Sequence, residues 1–345
     1  MSRTIHSAVQ DWAHRVLALS LVFLCVEGTI LALHGELHAA AFTAWAGSWG
    51  TAYSAGQVLF RATTLLILAI ASDIALRAGV VSVAVEAQLT VACLVSAVVA
   101  VRFPSWMCFG AVMSGAAASL VVAACVAWLY VRRGVRVVLS GLLLNPLVAV
   151  LVSFALAHGA GMRGTVRTPS IDAAMTIARV DGWWQASRGS ALSYGSLIAP
   201  LALVLSSLYF ARTSVGRETV LVGLNERACR AQGIPTRRRV VQALLLSAAV
   251  AALGSLTLVF GGKGYFEEGM GTGLGFSGLA VAMMARGNST RMLVYALCVA
   301  TMEQAALACH AYLPRDGATV LLAIFLVAMC AADSIRTRRS LVGCP

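Results

Sequence analysis

The chain has 345 residues, of which 59% are hydrophobic and only 12% charged, and its formal net charge is +12. Soluble domains run nearer ~45–50% apolar and ~25% charged. The mean hydropathy of +0.84 shows that the excess is spread along the chain, not held in one helix. A soluble globular enzyme, a disordered tail and a secreted disulfide scaffold are excluded, and a polytopic membrane protein remains.

A spanning helix needs ~20 mostly apolar residues. Such runs are predicted at 16–35, 58–77, 79–101, 106–130, 138–159, 191–211, 240–262, 272–286, 292–313 and 318–334, ten in all, the eighth short and rich in glycine. The first follows Arg3 and Arg15 but continues into His34–Glu36 without a small-residue cleavage site, so an uncleaved span is expected. The basic residues are 25 Arg and a single Lys, Lys263, and they fall between the apolar runs. That placement fits membrane topology better than phosphate contact, and no nucleic-acid partner is expected. Alternating the sides from a cytoplasmic N-terminus puts 18 of the 26 basic residues inside, so both termini are expected in the cytoplasm. The chain reads as an all-α polytopic protein, one transmembrane domain over 1–345, with no segment large enough for a separate soluble domain.

Three loops stand out. Residues 36–57 and 160–190 are expected outside and carry Trp45, Trp49, Tyr53, Trp183 and Trp184, the composition of an interfacial belt. The third, 212–239, is expected inside. Within it, "GLNERACRAQGIPTRRR" has helix-forming character and then stops at Gly233, with Pro235 just beyond. A loop that only held positive charge inside would need no such helix and stop, so docking of a cytoplasmic partner is one reading.

The spans contain four carboxylates: Glu27, Asp73, Glu86 and Glu303. Each costs ~2.5–3.5 kcal/mol near mid-bilayer on insertion scales and should face the bundle interior or a wet cavity. Asp73 has Arg77 one helical turn on, as an ion pair requires. Glu86 lies in "RAGVVSVAVEAQ", where Gly79 and Ser82 precede it and Gln88 follows. Such a segment breaks a helix, and Glu86 and Gln88 either satisfy the freed backbone or line a permeation path. A second small-residue segment, "GMGTGLGFSGLAVAM" at 269–283, occupies the matching place in the other half. Paired glycine-interrupted segments point to a transport site between inverted repeats, so two inverted halves are an expectation.

Chemistry is not visible. There is no G-x-x-x-x-G-K-[S/T] phosphate loop, and "GGKG" at 261–264 has the wrong spacing. The six His form no ligand spacing, the nine Cys form no C-x-x-C pair, and no nucleophile–base pair is seen. No catalytic residue and no metal ligand are assigned.

Four segments together resemble the permease subunits of bacterial ABC importers of the branched-chain amino acid, simple sugar and nucleoside group, nearest the nucleoside branch with its riboflavin-importing relatives. "RAGVVSVAVEAQ" at 77–88 is similar to the family's R-A-G-x-x-N-I-G-x-E-G-Q, and "LLLNPL" at 142–147 to its M-L-N-Y segment. "GLNERACRAQGIPTRR" at 223–238 resembles the loop that couples to the ATPase, and "GLGFSGLAVAMMARGNS" at 273–289 the family's glycine-rich segment. The order holds across roughly 60–335. Ser82 stands for Asn, Ala84 and Ala87 for Gly, Pro146 for Tyr, Cys229 for Ala and Ser289 for Pro.

The resemblance implies a permease in a bacterial inner membrane that forms a path for a nucleoside or a similar solute such as riboflavin. It implies a coupling loop with Gly223, Asn225, Glu226, Ala228, Gly233 and Ile234. Candidate path residues are Glu86, Gln88, Asn145, Gly273, Gly275 and Phe276. Partners implied are cytoplasmic ATPase subunits, a second permease subunit and a substrate-binding protein. This chain would bind no cofactor, ATP and Mg acting through the ATPase. The alternatives are a simple-sugar permease, a proton-coupled secondary transporter using Glu27, Glu86 or Glu303, and a polytopic membrane enzyme.

Overall fold

The computed structural model describes residues 45–103, 107–162, 164–180 and 189–308. The architecture is all helical. Among the described residues the strand-like pairings are two isolated bridges, Arg167 with Glu267 and Arg179 with Ser193. The helices are α1 (Ala52–Arg77), α2 (Val85–Arg102), α3 (Met107–Arg133), α4 (Val137–Ala155), α5 (Ile198–Arg212), α6 (Ser214–Leu224), α7 (Glu226–Ala231), α8 (Thr236–Ala252), α9 (Leu274–Ala285) and α10 (Ser289–Ala308). Past Ala155 the chain leaves helical geometry at His158 and Gly159, the latter at φ +138, and a wider turn follows α8 over Leu256–Lys263.

Seven stretches among the described residues are long and apolar enough to cross a membrane: Ala52–Arg77, Val85–Arg102, Cys108–Arg133, Val137–Ala160, Tyr194–Arg212, Thr236–Lys263 and Ser289–Ala308. The predicted spans at 16–35 and 318–334, with Glu27, Trp183 and Trp184, lie outside the described residues. Two predicted spans differ in kind. The run at 79–101 becomes helical only at Val85, and the run at 272–286 yields the 12-residue α9. At 1.5 Å per residue α9 is ~18 Å long, short of a ~30 Å hydrocarbon core.

The described residues fall into two compact units, Leu59–Cys298 and a smaller one made of the chain ends, of which 45–58 and 299–308 are described. In the smaller unit Thr51 caps the start of α1. Its hydroxyl accepts from the Ser54 amide at 3.1 Å, and the Ser54 hydroxyl accepts from the Thr51 amide at 3.2 Å.

Within the larger unit α1 is central. Its apolar window is 78% buried, against 28% for the windows of Val137–Ala160 and Tyr194–Arg212. Residues apolar on all sides need no single buried face, so position in the bundle decides what each helix touches. The exposed Leu142, Leu143, Val150 and Phe154 of α4 and Leu201 and Leu205 of α5 form faces suited to lipid. Inside, small residues set the spacing. A Cβ at Gly115 of α3 would lie 2.6 Å from the Ala92 carbonyl of α2, and the Ser119 hydroxyl donates to the Ala248 carbonyl of α8 at 3.0 Å. Gly115 and Ser119, one turn apart on α3, thus hold it against both neighbours.

Candidate functional site

Two breaks in the helical order define the site. The first separates α1 from α2. Gly79 ends α1 at φ +78, and the chain runs without helix to Val85. Backbone freed inside an apolar bundle needs a partner, and Asn145 of α4 supplies it from both directions. Its side-chain oxygen accepts from the Ala87 amide at 3.3 Å, and its amide nitrogen donates to the Val83 carbonyl at 3.2 Å. Gly141, one turn earlier on α4, allows the approach, since a Cβ there would lie 2.8 Å from the Ala84 nitrogen. Asn145→Leu removes both bonds while keeping bulk. Each buried backbone group left unsatisfied costs ~1–3 kcal/mol, so a thermal midpoint lowered by several degrees in detergent is expected. An unchanged midpoint would mean that water replaces the side chain.

The second break lies between Lys263 and α9. Here residues 164–180 are laced to 260–268. Thr168 and Phe266 exchange backbone and hydroxyl bonds at 2.9 Å, the Ile171 amide donates to the Gly264 carbonyl at 2.8 Å, and the Ile177 amide to the Phe260 carbonyl at 2.9 Å. Phe266 is fully buried and anchors the turn. The chain then re-enters the bundle through Glu268–Gly273.

The two breaks meet at Glu86. From the first turn of α2, its Oε1 accepts from the Gly273 amide at 3.1 Å, at the N-terminus of α9. A carboxylate there compensates both the unpaired amides and the positive end of the helix dipole. The approach requires glycine. A Cβ at Gly275 would lie 2.5 Å from the Glu86 Cβ, and one at Gly271 would lie 2.8 Å from the Thr90 hydroxyl. Beside this junction is a cavity of about 240 Å³ whose lining includes Glu86, Thr90, Asn145, Val148, Val152, Glu268 and Thr272.

The structure therefore brings Glu86, Asn145, Gly273 and Gly275 together. It does not bring in Gln88, which is buried away from this lining, or Phe276, which is half exposed and also outside it. Thr90, Thr272 and Glu268 were not singled out from the sequence. Glu268 accepts from the Ser153 hydroxyl of α4. The adjacent pair Glu267–Glu268, directly before a glycine run in an otherwise acid-poor chain, was the available signal.

At the other end of α9 lies the loop 212–239. It forms two helices, where the sequence suggested one. Thr213 caps α6 by accepting from the Gly216 amide at 3.0 Å, and Asn225 breaks the chain and caps α7 by accepting from the Ala228 amide at 3.1 Å. Asn-type caps favour a helix start, which is why one segment becomes two. The expected stop is present. Gly233 takes φ +80, its amide donates to the Arg230 carbonyl at 3.1 Å, and the Ile234 amide donates to the Cys229 carbonyl at 3.0 Å. This is a complete Schellman ending. Glu226 pairs with Arg230 at 2.5 Å and also accepts from the Thr236 hydroxyl at 3.3 Å, tying α7 to α8. Asn225, Glu226, Ala228 and Gly233 are exposed, and Ile234 is partly so.

Gly223 belongs to a different contact. Its α-carbon lies against Gly79, where a Cβ on either residue would meet the other's backbone. Arg77 stands at the same place. It pairs with Asp73 at 2.7 Å, donates from Nη2 to the Gly287 carbonyl at 2.7 Å, and lies 4.3 Å over the Phe210 ring.

Among the described residues the chain is helical, with seven candidate spans and with broken helices meeting beside a cavity lined in part by Glu86, Asn145 and Glu268, the build of a membrane transport component. The chain belongs to the family described as the branched-chain amino acid transport system / permease component, whose model matches residues 54–330. It is 27% identical over 266 residues to the glucose ABC transporter permease protein TsgB13 of Haloferax volcanii, covering 71% of this chain and 67% of that one. It is 24% identical to the nucleoside ABC transporter permease protein NupB of Lactococcus lactis, covering 74% and 73%. It is 22% identical to the guanosine ABC transporter permease protein NupP of Bacillus subtilis, covering 95% and 96%. It is thus a multi-pass membrane protein of the ABC permease type, a transport component.

Proposed function

We propose that this chain is the permease subunit of an ATP-driven importer for a nucleoside. It sits in a bacterial inner membrane with both termini in the cytoplasm. The α6–α7 pair is the cytoplasmic seat of a separate ATPase subunit, which supplies ATP and Mg. The cavity at Glu86 and Asn145 lies on the solute path. A second permease subunit completes that path, and a substrate-binding protein delivers solute to the opposite face.

The observation that carries this reading is the connection between the two ends. The exposed, sharply ended α7 is joined through α6 and Gly223 to the break that leads into Glu86. Nucleoside is preferred because the guanosine relative aligns over nearly the whole of both chains. A simple sugar is the second reading, supported by the glucose relative at 27% identity. None of the three relatives carries a flavin by name, so riboflavin draws its support from the sequence resemblance alone.

The test is purification from native membranes in mild detergent, then reconstitution with ATP. A co-purifying soluble chain with a phosphate loop is expected, with ATP-dependent uptake of guanosine exceeding that of glucose. A permease that purifies alone and takes up solute on a proton gradient would overturn the reading in favour of secondary transport.

A further inference from the structure

Arg77 does more in this fold than neutralise Asp73. A guanidinium that pairs with a carboxylate in an apolar bundle roughly offsets its own desolvation, so stability does not explain it. A lysine would supply the same charge. What lysine lacks is a planar fork that can bond two acceptors and lie flat on an aromatic ring at once. Arg77 meets two acceptors and a ring. Nε donates to Asp73 on α1, Nη2 donates to Gly287 beyond α9, and Cζ lies 4.3 Å from the centroid of the Phe210 ring on α5.

The Gly287 carbonyl is turned toward it by two successive left-handed residues, Arg286 at φ 48 and Gly287 at φ +76. Arg286 is the one described residue other than glycine with positive φ. Such a conformation costs ~1–2 kcal/mol for a residue with a side chain and persists only where surroundings hold it. The contact on the other side is backbone to backbone. Gly223 of α6 sits on the Arg77 carbonyl and the Gly79 amide with no room between them. A single residue, Thr213, separates α5 from α6, so Phe210 moves with the same pair.

The far end of α9 is the junction with Glu86. Gly278 of α9 faces Leu68 of α1, where a Cβ would lie 2.7 Å from the Leu68 Cβ. Nine residues on along both segments, Gly287, just past the end of α9, faces Arg77 at the end of α1. The two helices run alongside in the same direction, close enough to shift as one body. We propose that Arg77 is a positioning residue for transport. It locks α5, the α6–α7 pair and α9 together, so that displacement of the cytoplasmic pair moves the N-terminus of α9 against Glu86. This rests on the reading of the chain as an ABC importer permease.

The experiment compares wild type, R77K and F210L in the assembled complex, reading ATP hydrolysed and solute taken up in the same vesicles. R77K keeps the charge beside Asp73 and is expected to keep its hydrolysis while uptake per ATP falls about tenfold, the ratio that corresponds to ~1.4 kcal/mol. F210L keeps both Arg77 hydrogen bonds, removes the ring beneath it along with the edge contact to Tyr209, and is expected to shift uptake per ATP in the same direction by less. Hydrolysis and uptake falling in proportion, or uptake per ATP unchanged, would overturn the proposal. If R77K fails to assemble, F210L decides on the same ratio. Wild-type uptake that ignores ATP would instead overturn the importer reading, and this proposal with it.

Discussion

Gly223→Val is expected to abolish coupled uptake and to reduce the yield of assembled protein. The atoms in the way are the Arg77 carbonyl and the Gly79 amide nitrogen, the latter 2.8 Å from an added Cβ. Both are backbone, so no rotamer change relieves the clash. Overpacking of this kind costs ~1–3 kcal/mol where side chains can yield, and more is expected where they cannot. Relief requires α6 to lift from the end of α1, which separates the α6–α7 pair from the break leading to Glu86. Gly233→Ala is the control. Nothing lies within 4 Å of a Cβ at Gly233, so only the left-handed backbone at φ +80 resists it. That strain is ~1–2 kcal/mol at an exposed helix end. Folded protein with weakened coupling is expected there. Size-exclusion profiles with ATP-dependent uptake would separate the two, and equal behaviour of both variants would remove Gly223 from the coupling contact.

Glu86→Ala is expected to lower uptake by about tenfold or more, on the conversion of ~1.4 kcal/mol per decade. The carboxylate caps α9 through the Gly273 amide, and loss of an N-terminal cap costs ~0.5–2 kcal/mol. Gly271 and Gly275 bring only backbone to this junction, so the α9 end depends on the Glu86 carboxylate that reaches it. Glu86→Gln should fall between wild type and alanine, since it keeps an acceptor oxygen and loses the charge that favours the helix end. Wild-type uptake by the alanine variant would reduce the 77–88 segment to a scaffold.

Much of the site could be read from residues whose local chemistry leaves few options. Gly233 with Pro235 behind it specifies a helix stop, and the Schellman bonds to Cys229 and Arg230 follow from that local pattern. Asp73 and Arg77 lie one turn apart on one apolar helix and pair wherever that helix is placed. Gly79 and Ser82 ahead of Glu86 signalled a break, and the break is present. The second helix of the 212–239 loop was missed because Asn225 as a cap competes with continuous helix, and composition alone does not decide between them.

Apolar composition, the rhythm of the long helices and the positions of their interruptions were set by the sequence alone, because a bilayer admits only backbone that satisfies itself. Which interruption meets which was decided by the tertiary structure. Glu86 and Gly273 are 187 residues apart, Arg77 and Gly287 are 210 apart, and the Asn145 that bridges the first break sits on a helix of its own. Nothing local distinguishes Glu86 from Gln88, two positions along the same turn. Only the fold aims one at the end of α9 and buries the other away from the cavity, since facing helices and not residue type fix where each side chain on a uniformly apolar helix points.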